Sequence, residues 1–130
     1  MDPWCAKYPK IELLEGTYCG PTEEVNGRQV PETLKRDVGK KWFTSGARYV
    51  GEYRNGMRSG RGSFIFPSGN IYVGQYQHGL KNGHGAYFHQ DSAKWTWCRY
   101  VEDKPYDCKV GLTASSARAE LSALGFEPGP

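Results

Sequence analysis

"YVGEYRNGMRSGRG" occupies residues 49–62, and "YVGQYQHGLKNGHG" begins 23 residues later, at residue 72. Aligned at that spacing, Tyr49, Gly51, Tyr53, Gly56, Gly60, Gly62 and Gly69 face Tyr72, Gly74, Tyr76, Gly79, Gly83, Gly85 and Ser92, and six of the seven pairs are identical. A fixed period of this length is the signature of stacked units, each too small to bury its own apolar face. Within a unit, "YVGEY" alternates with period 2, so Tyr49, Gly51 and Tyr53 share one face of a strand. Asn55-Gly56 is a turn pair because both residues tolerate positive φ. "GSFIFP" returns as the second strand, and Pro67-Ser68-Gly69-Asn70 turns into the next unit. A glycine between two aromatic residues on one face leaves room for a ring to lie against the backbone.

Stepping back 23 residues from Gly62 and Gly69 lands on Gly39 and Gly46, so "GKKWFTSG" reads as the second half of a truncated unit. Stepping forward from Tyr72 lands on Trp95, and "WTWCRYV" reads as the first strand of a unit that has lost its glycines. The array is half, whole, whole, half. Hydrophobic residues make up only 38% of the chain while Phe, Trp and Tyr supply 14%, so aromatic rings must do much of the burial.

This pattern resembles the MORN (membrane occupation and recognition nexus) repeat, with Tyr53 and Tyr76 standing where that family often has Trp. The resemblance implies an all-β fold, a short solenoid of stacked antiparallel β-hairpins. It implies a non-catalytic part that acts as a scaffold or holds partner peptides or helices along an aromatic groove. The groove candidates are Tyr49, Tyr53, Phe64, Phe66, Tyr72, Tyr76 and Tyr87; whichever the chain itself leaves uncovered would form the contact. Where MORN arrays occur in enzymes the chemistry sits in a separate catalytic domain, for which neither flank has the length.

The expected organisation is an irregular N-terminal arm over 1–38, the array over 39–103, and a C-terminal tail over 104–130. The arm carries four prolines and an apolar scatter, and is expected either to add one strand near 11–19 and cap the first half-unit or to dock on another subunit, so that partners attach along the groove or through the terminal arms. The tail holds one short helix at about 113–124, with Thr113 as N-cap, Gly125 and Phe126 ending it, and Ala117, Leu121 and Leu124 on one face. Such a helix is marginal alone and must pack, either across this groove or on a partner.

Charge is uneven. Residues 1–34 carry six acids against three bases, and residues 35–61 carry eight bases against two acids. Lys40, Lys41, Arg48, Arg54, Arg58 and Arg61 therefore suggest a strip for an acidic partner or an anionic phospholipid surface, if they do not face the acidic arm or water. The rival function class is accordingly a peripheral membrane module. Cys98 and Cys108, and Cys5 and Cys19, lack zinc-knuckle spacing; they are reduced thiols of an intracellular, cytoplasmic or cytoskeleton-associated protein, or disulfides of an oxidising compartment such as the mitochondrial intermembrane space. His78, His84 and His89 do not read as metal ligands, and no metal or other cofactor is expected. "GMRSGRG" lacks the Lys-Ser/Thr ending of a P-loop, and no nucleophile or paired-carboxylate motif appears. Nucleic acid is not an expected partner at a net charge of +3. The N-terminus has no signal or transit pattern, and the expected role is a small accessory subunit of a larger assembly.

Overall fold

The computed structural model describes residues 3–8, 10–33 and 37–126. A short 3-10 turn at Pro3–Lys7 leads into strands β1 (Lys10–Leu13), β2 (Gly16–Cys19), β3 (Thr22–Val25), β4 (Arg28–Pro31), β5 (Gly39–Phe43), β6 (Arg48–Arg54), β7 (Met57–Ile65), β8 (Ile71–Gln77), β9 (Leu80–His89), β10 (Lys94–Val101) and β11 (Lys104–Leu112), followed by helix α1 (Ala114–Ala123). Nine strands form one antiparallel sheet in the order β1-β2-β5-β6-β7-β8-β9-β10-β11, and β3 pairs with β4 alone. The protein is all-β, with open hairpins stacked edge to edge and one short C-terminal helix.

The two whole repeats are the hairpins β6–β7 and β8–β9, turned at Asn55-Gly56 (φ 52° and 78°) and His78-Gly79 (φ 51° and 82°). In each, the first tyrosine lies flat on two glycines that pair across the strands, Gly51 with Gly62 and Gly74 with Gly85. A methyl group on Gly62 would stand 2.5 Å from Tyr49 Cε1 and 2.6 Å from Cζ. The ring hydroxyls donate to carbonyls three residues on, Tyr49 to Glu52 at 2.9 Å and Tyr72 to Gln75 at 3.0 Å. The third glycine serves a bulge. Gly60 and Gly83 have φ of 57° and 104°, and the Glu52 and Gln75 side chains accept the next backbone N–H, from Arg61 (2.6 Å) and His84 (2.8 Å).

The N-terminal segment differs from the irregular arm the sequence suggests. "YCG" at 18–20 is a full repeat start: Tyr18 lies over Gly20 and Gly39, and its hydroxyl donates to Pro21 O at 2.7 Å. Gly20 and Gly39 stand 19 residues apart where Gly51 and Gly62 stand 11. The eight extra residues make room for the separate tip hairpin β3–β4, which runs from Thr22 to Pro31 and turns at Asn26-Gly27 (φ 52° and 77°). The half-unit is thus a whole hairpin, β2 with β5, whose period is broken by an insertion. The tip then returns to the sheet through Thr33, whose hydroxyl accepts Tyr53 N–H at 2.8 Å, and through Pro31 O, which accepts Gly56 N–H at 2.8 Å. β1 pairs beside β2 at the sheet edge.

The last unit also departs from the expected alignment. Thr96 pairs with Tyr87 and Cys98 with Gly85, just as Tyr72 and Gly74 do from the other side. Tyr100 pairs with Gly83 as Tyr76 pairs with Gly60. The true equivalents of Tyr72, Gly74 and Tyr76 are therefore Thr96, Cys98 and Tyr100, one residue later than a period of 23 predicts. The cause is the connection: His89 is joined to Lys94 by four residues, whereas Phe66 and Asn70, which pair across the corresponding turn, enclose three. A one-residue slip sends every side chain to the other face. Trp95 and Trp97 consequently lie opposite the tyrosines, where Trp97, Ala86 and Ala117 form a second buried cluster joined by Trp95, Leu112, Leu121 and Leu124. Helix α1 docks there. Thr113 Oγ1 accepts Ser116 N–H (3.2 Å), and Gly125 (φ 86°) with Phe126 N–H bonded to Leu121 O close the helix. The helix packs in cis, but behind the sheet and not across the groove.

Candidate partner-binding surface

Strand alternation collects the rings of all four hairpins on one face. Tyr18, Tyr53, Tyr49, Tyr76, Tyr72 and Tyr100 form a continuous edge-to-face series, with successive centroids 5.0, 5.2, 5.4, 5.4 and 5.3 Å apart. Their quadrupoles favour this T-shaped contact over face-to-face stacking. All six are at most 7% exposed. Burial raises the pKa of each hydroxyl, because the phenolate would lose its hydration. A second row, Phe43, Phe64, Phe66, Tyr87 and His89, runs beside them with centroids 4.7 to 5.8 Å apart and is only half-buried.

Of the expected groove residues, Tyr49, Tyr53, Tyr72 and Tyr76 are thus in the core. Phe64, Phe66 and Tyr87 keep exposed ring area. Sequence reasoning missed Tyr18 and Tyr100, which complete the series; the signals were the "YCG" triplet and the tyrosine two residues beyond Cys98.

Three cations cover the rings. The Arg58 guanidinium lies 5.3 to 5.9 Å from the Tyr76, Phe64 and Tyr49 centroids, and its Nη2 donates to Gly79 O at 2.9 Å. Lys81, its counterpart 23 residues on, lies 5.0 Å from Tyr100 and 5.4 Å from Tyr72. Lys41 lies 4.6 Å from Phe43 and is hydrogen-bonded to the Glu15 carboxylate, which is held below the usual carboxylate range chiefly by that bond. The hydroxyl of Tyr53 and the Nε of Arg58, on directly opposed residues, are buried with no hydrogen-bond partner among the described residues.

The six cations suggested as a strip are divided between the two faces. Lys41 and Arg58 lie on the ring face. Alternation puts Lys40, Arg48, Arg54 and Arg61 on the other, where Arg61 reaches Glu52 (3.4 Å) and Gly125 O (2.7 Å) and so ties the helix end to the sheet.

Cys98 and Cys108 form a disulfide, with S–S 2.05 Å. It stands where the other hairpins carry a glycine pair, with Thr96 in place of the tyrosine that lies over that pair elsewhere, and Cys98 packs into the tyrosine cluster. Cys5 and Cys19 are buried thiols. His78 sits in a turn, His84 stacks on Trp97 (5.7 Å) and His89 bonds Thr96 Oγ1 (2.8 Å). Among the described residues no three His, Cys, Asp or Glu side chains are grouped as metal ligands, and no helix is long and apolar enough to cross a membrane.

No curated protein matches the chain. The MORN repeat family model matches residues 49–71 and again residues 72–92, the hairpins β6–β7 and β8–β9 with their outgoing turns. The sequence motif, the glycine-seated tyrosines and the family match converge, and residues 49–92 of this protein are a tandem pair of MORN repeats.

Proposed function

We propose that this chain is a non-catalytic accessory subunit that joins a larger protein assembly through its ring face. MORN repeats are interaction modules for proteins or membranes. The observation that carries the reading is the asymmetry of the sheet. The chain's own helix packs on the back of the sheet at β9 and β10, while on the ring face Phe64, Phe66 and Tyr87 keep exposed area that no element of the described chain packs across. Apolar ring area of this kind, flanked by cations, suits a partner segment laid along the hairpins.

The test is recovery of the tagged full chain from its source cell, wild type beside Phe66→Ser, with far-UV circular dichroism to show that the variant keeps its sheet. The proposal expects a stoichiometric complex that the substitution dissolves. A chain recovered alone, or a complex indifferent to Phe66→Ser, overturns it.

The rival reading, a peripheral membrane module using Lys40, Lys41, Arg48, Arg54, Arg58 and Arg61, draws less support because these cations point to two sides. Pelleting with anionic vesicles that collapses at high salt would favour it. For the compartment, the Cys98–Cys108 bond supports an oxidising one, such as the mitochondrial intermembrane space, over the cytosol. Thiol trapping in the intact cell decides between them, since free Cys98 and Cys108 would return the protein to a reducing compartment.

A further inference from the structure

The core tyrosines that the repeat pattern offers as contacts lie beneath Arg58 and Lys81, so a partner meets those cations beside the exposed area of Phe64, Phe66 and Tyr87. On that ground we propose that the ring face selects an acidic protein segment, with one carboxylate at Arg58 and a second at Lys81. The inference rests on the reading of this face as a partner surface and adds the chemistry of the partner.

Three observations support it. First, among the described residues no carboxylate lies at ion-pair distance from Arg58, and Glu15 acts on it only from farther away; its guanidinium rests on three rings, and its Nη2 donates to a backbone carbonyl. Second, the buried Nε–H of Arg58 and the hydroxyl of Tyr53 opposite it both lack a partner among the described residues. A buried donor without an acceptor is costly, and an incoming carboxylate that draws the guanidinium toward it relieves that cost. Third, the acids nearest these cations are already committed to other donors. Glu15 is engaged by Lys41, and Asp103, at the tip of the last hairpin, accepts Lys81 backbone N–H.

The spacing is specific. Arg58 and Lys81 stand opposite Tyr53 and Tyr76 on β7 and β9, with β8 between them. Two strand spacings amount to about 10 Å. That matches carboxylates at i and i+7 of a helix lying across the strands, at about 1.5 Å per residue. Bilayer headgroups fit less well. Lys41 is 7% exposed and Arg58 is half-buried, so a flat surface cannot reach heads that a protruding side chain can.

The experiment pans a random peptide library displayed on phage against the full chain, with Arg58→Gln/Lys81→Gln as counter-selection. Recovered peptides should carry paired Asp or Glu beside aromatic or aliphatic anchors, and each cation removed should weaken them about tenfold. The charge-reversed Arg58→Glu/Lys81→Glu protein should select basic peptides instead, a gain that an unfolded variant would not show. Neutral or basic peptides from wild type, indifference to the Gln substitutions, or no enrichment overturns the proposal. So does binding of phosphatidylserine vesicles that the Gln substitutions abolish while peptide binding is untouched. If Phe66→Ser dissolves the native complex and Arg58→Gln/Lys81→Gln does not, the partner surface stands and the carboxylate assignment fails.

Discussion

Gly62→Ala isolates the contact on which each hairpin depends. The Gly62 backbone has no positive φ, so an added methyl introduces no backbone strain; its whole cost is collision with the Tyr49 ring. The ring cannot slide, because Tyr53 and Tyr76 meet it edge-on at 5.2 and 5.4 Å, so it must lift. A buried tyrosine removes about 150–250 Å² from water, and re-exposing about half of that costs roughly 2–3 kcal/mol. Two loosened edge contacts add about 1–2 kcal/mol, and the weakened bond to Glu52 O about 1 kcal/mol. Against this, alanine restricts the unfolded chain and returns about 0.4–1 kcal/mol. The expected net loss is about 3–5 kcal/mol, a large part of the stability of a domain this size.

Gly27→Ala is the control. Gly27 has φ 77° with nothing within 4 Å of an added methyl, so only backbone strain is introduced, costing about 1 kcal/mol. Urea unfolding followed by circular dichroism reads both, and at a typical m-value the Gly62→Ala midpoint should fall by more than about 1 M. In a Tyr49→Leu background the same alanine should cost under about 1 kcal/mol, giving a coupling energy of at least about 2 kcal/mol. A Gly62→Ala loss no larger than that of Gly27→Ala, or one unchanged by Tyr49→Leu, would refute the glycine-seated ring as the unit of stability.

Alkali should unfold the protein in one step. The six tyrosines of the edge-to-face series have raised folded values, so their contribution is intact below pH 10 and is lost as pH climbs above it. Tyr18, Tyr49, Tyr53, Tyr72 and Tyr76, the five raised furthest, each cost up to about 1.4 kcal/mol by pH 11, up to about 7 kcal/mol together, so tyrosinate absorbance should rise together with loss of the sheet; gradual ionisation within an intact sheet would contradict the packing. Reduction of Cys98–Cys108 should speed hydrogen exchange over residues 104–124 and leave β6–β9 protected. The crosslink contributes about 2–3 kcal/mol to a strand exposed at eight of its nine residues, and equal protection in both redox states would count against it. Ala117→Asp puts a charge into a site 1% exposed against Trp97 and should undock α1, shifting tryptophan emission to the red with the tyrosine series intact; unchanged emission would place the helix elsewhere.

The whole hairpins were legible because every constraint on them is local. A turn pair needing positive φ, a glycine under each ring and an alternating strand all recur at fixed spacing. What escaped was whatever changed the spacing. The first hairpin was hidden by the eight extra residues that make room for β3–β4, although "YCG" at 18–20 was in plain sight, because a period cannot be followed through an insertion of unknown length. The placement of the cations was hidden for a different reason. A run of charge in sequence alternates sides in a strand, so Lys40 and Lys41 are separated by the sheet itself.

The four-residue connection after His89 shows how much one residue can decide. Had the period of 23 held, Trp95 and Trp97 would have continued the ring face, and no apolar cluster would wait behind β10. The slip moves both tryptophans to the back, where they give α1 the surface that a ten-residue helix needs to be stable. It also brings Cys98 to the position of a seated glycine, opposite Cys108 on a strand that contributes little else to the core. Disulfide and helix therefore hold the same terminal segment from opposite faces of the sheet. The array is closed at this end by a crosslink in front and a helix behind, and the ring face of β6–β9 is left uncovered by both.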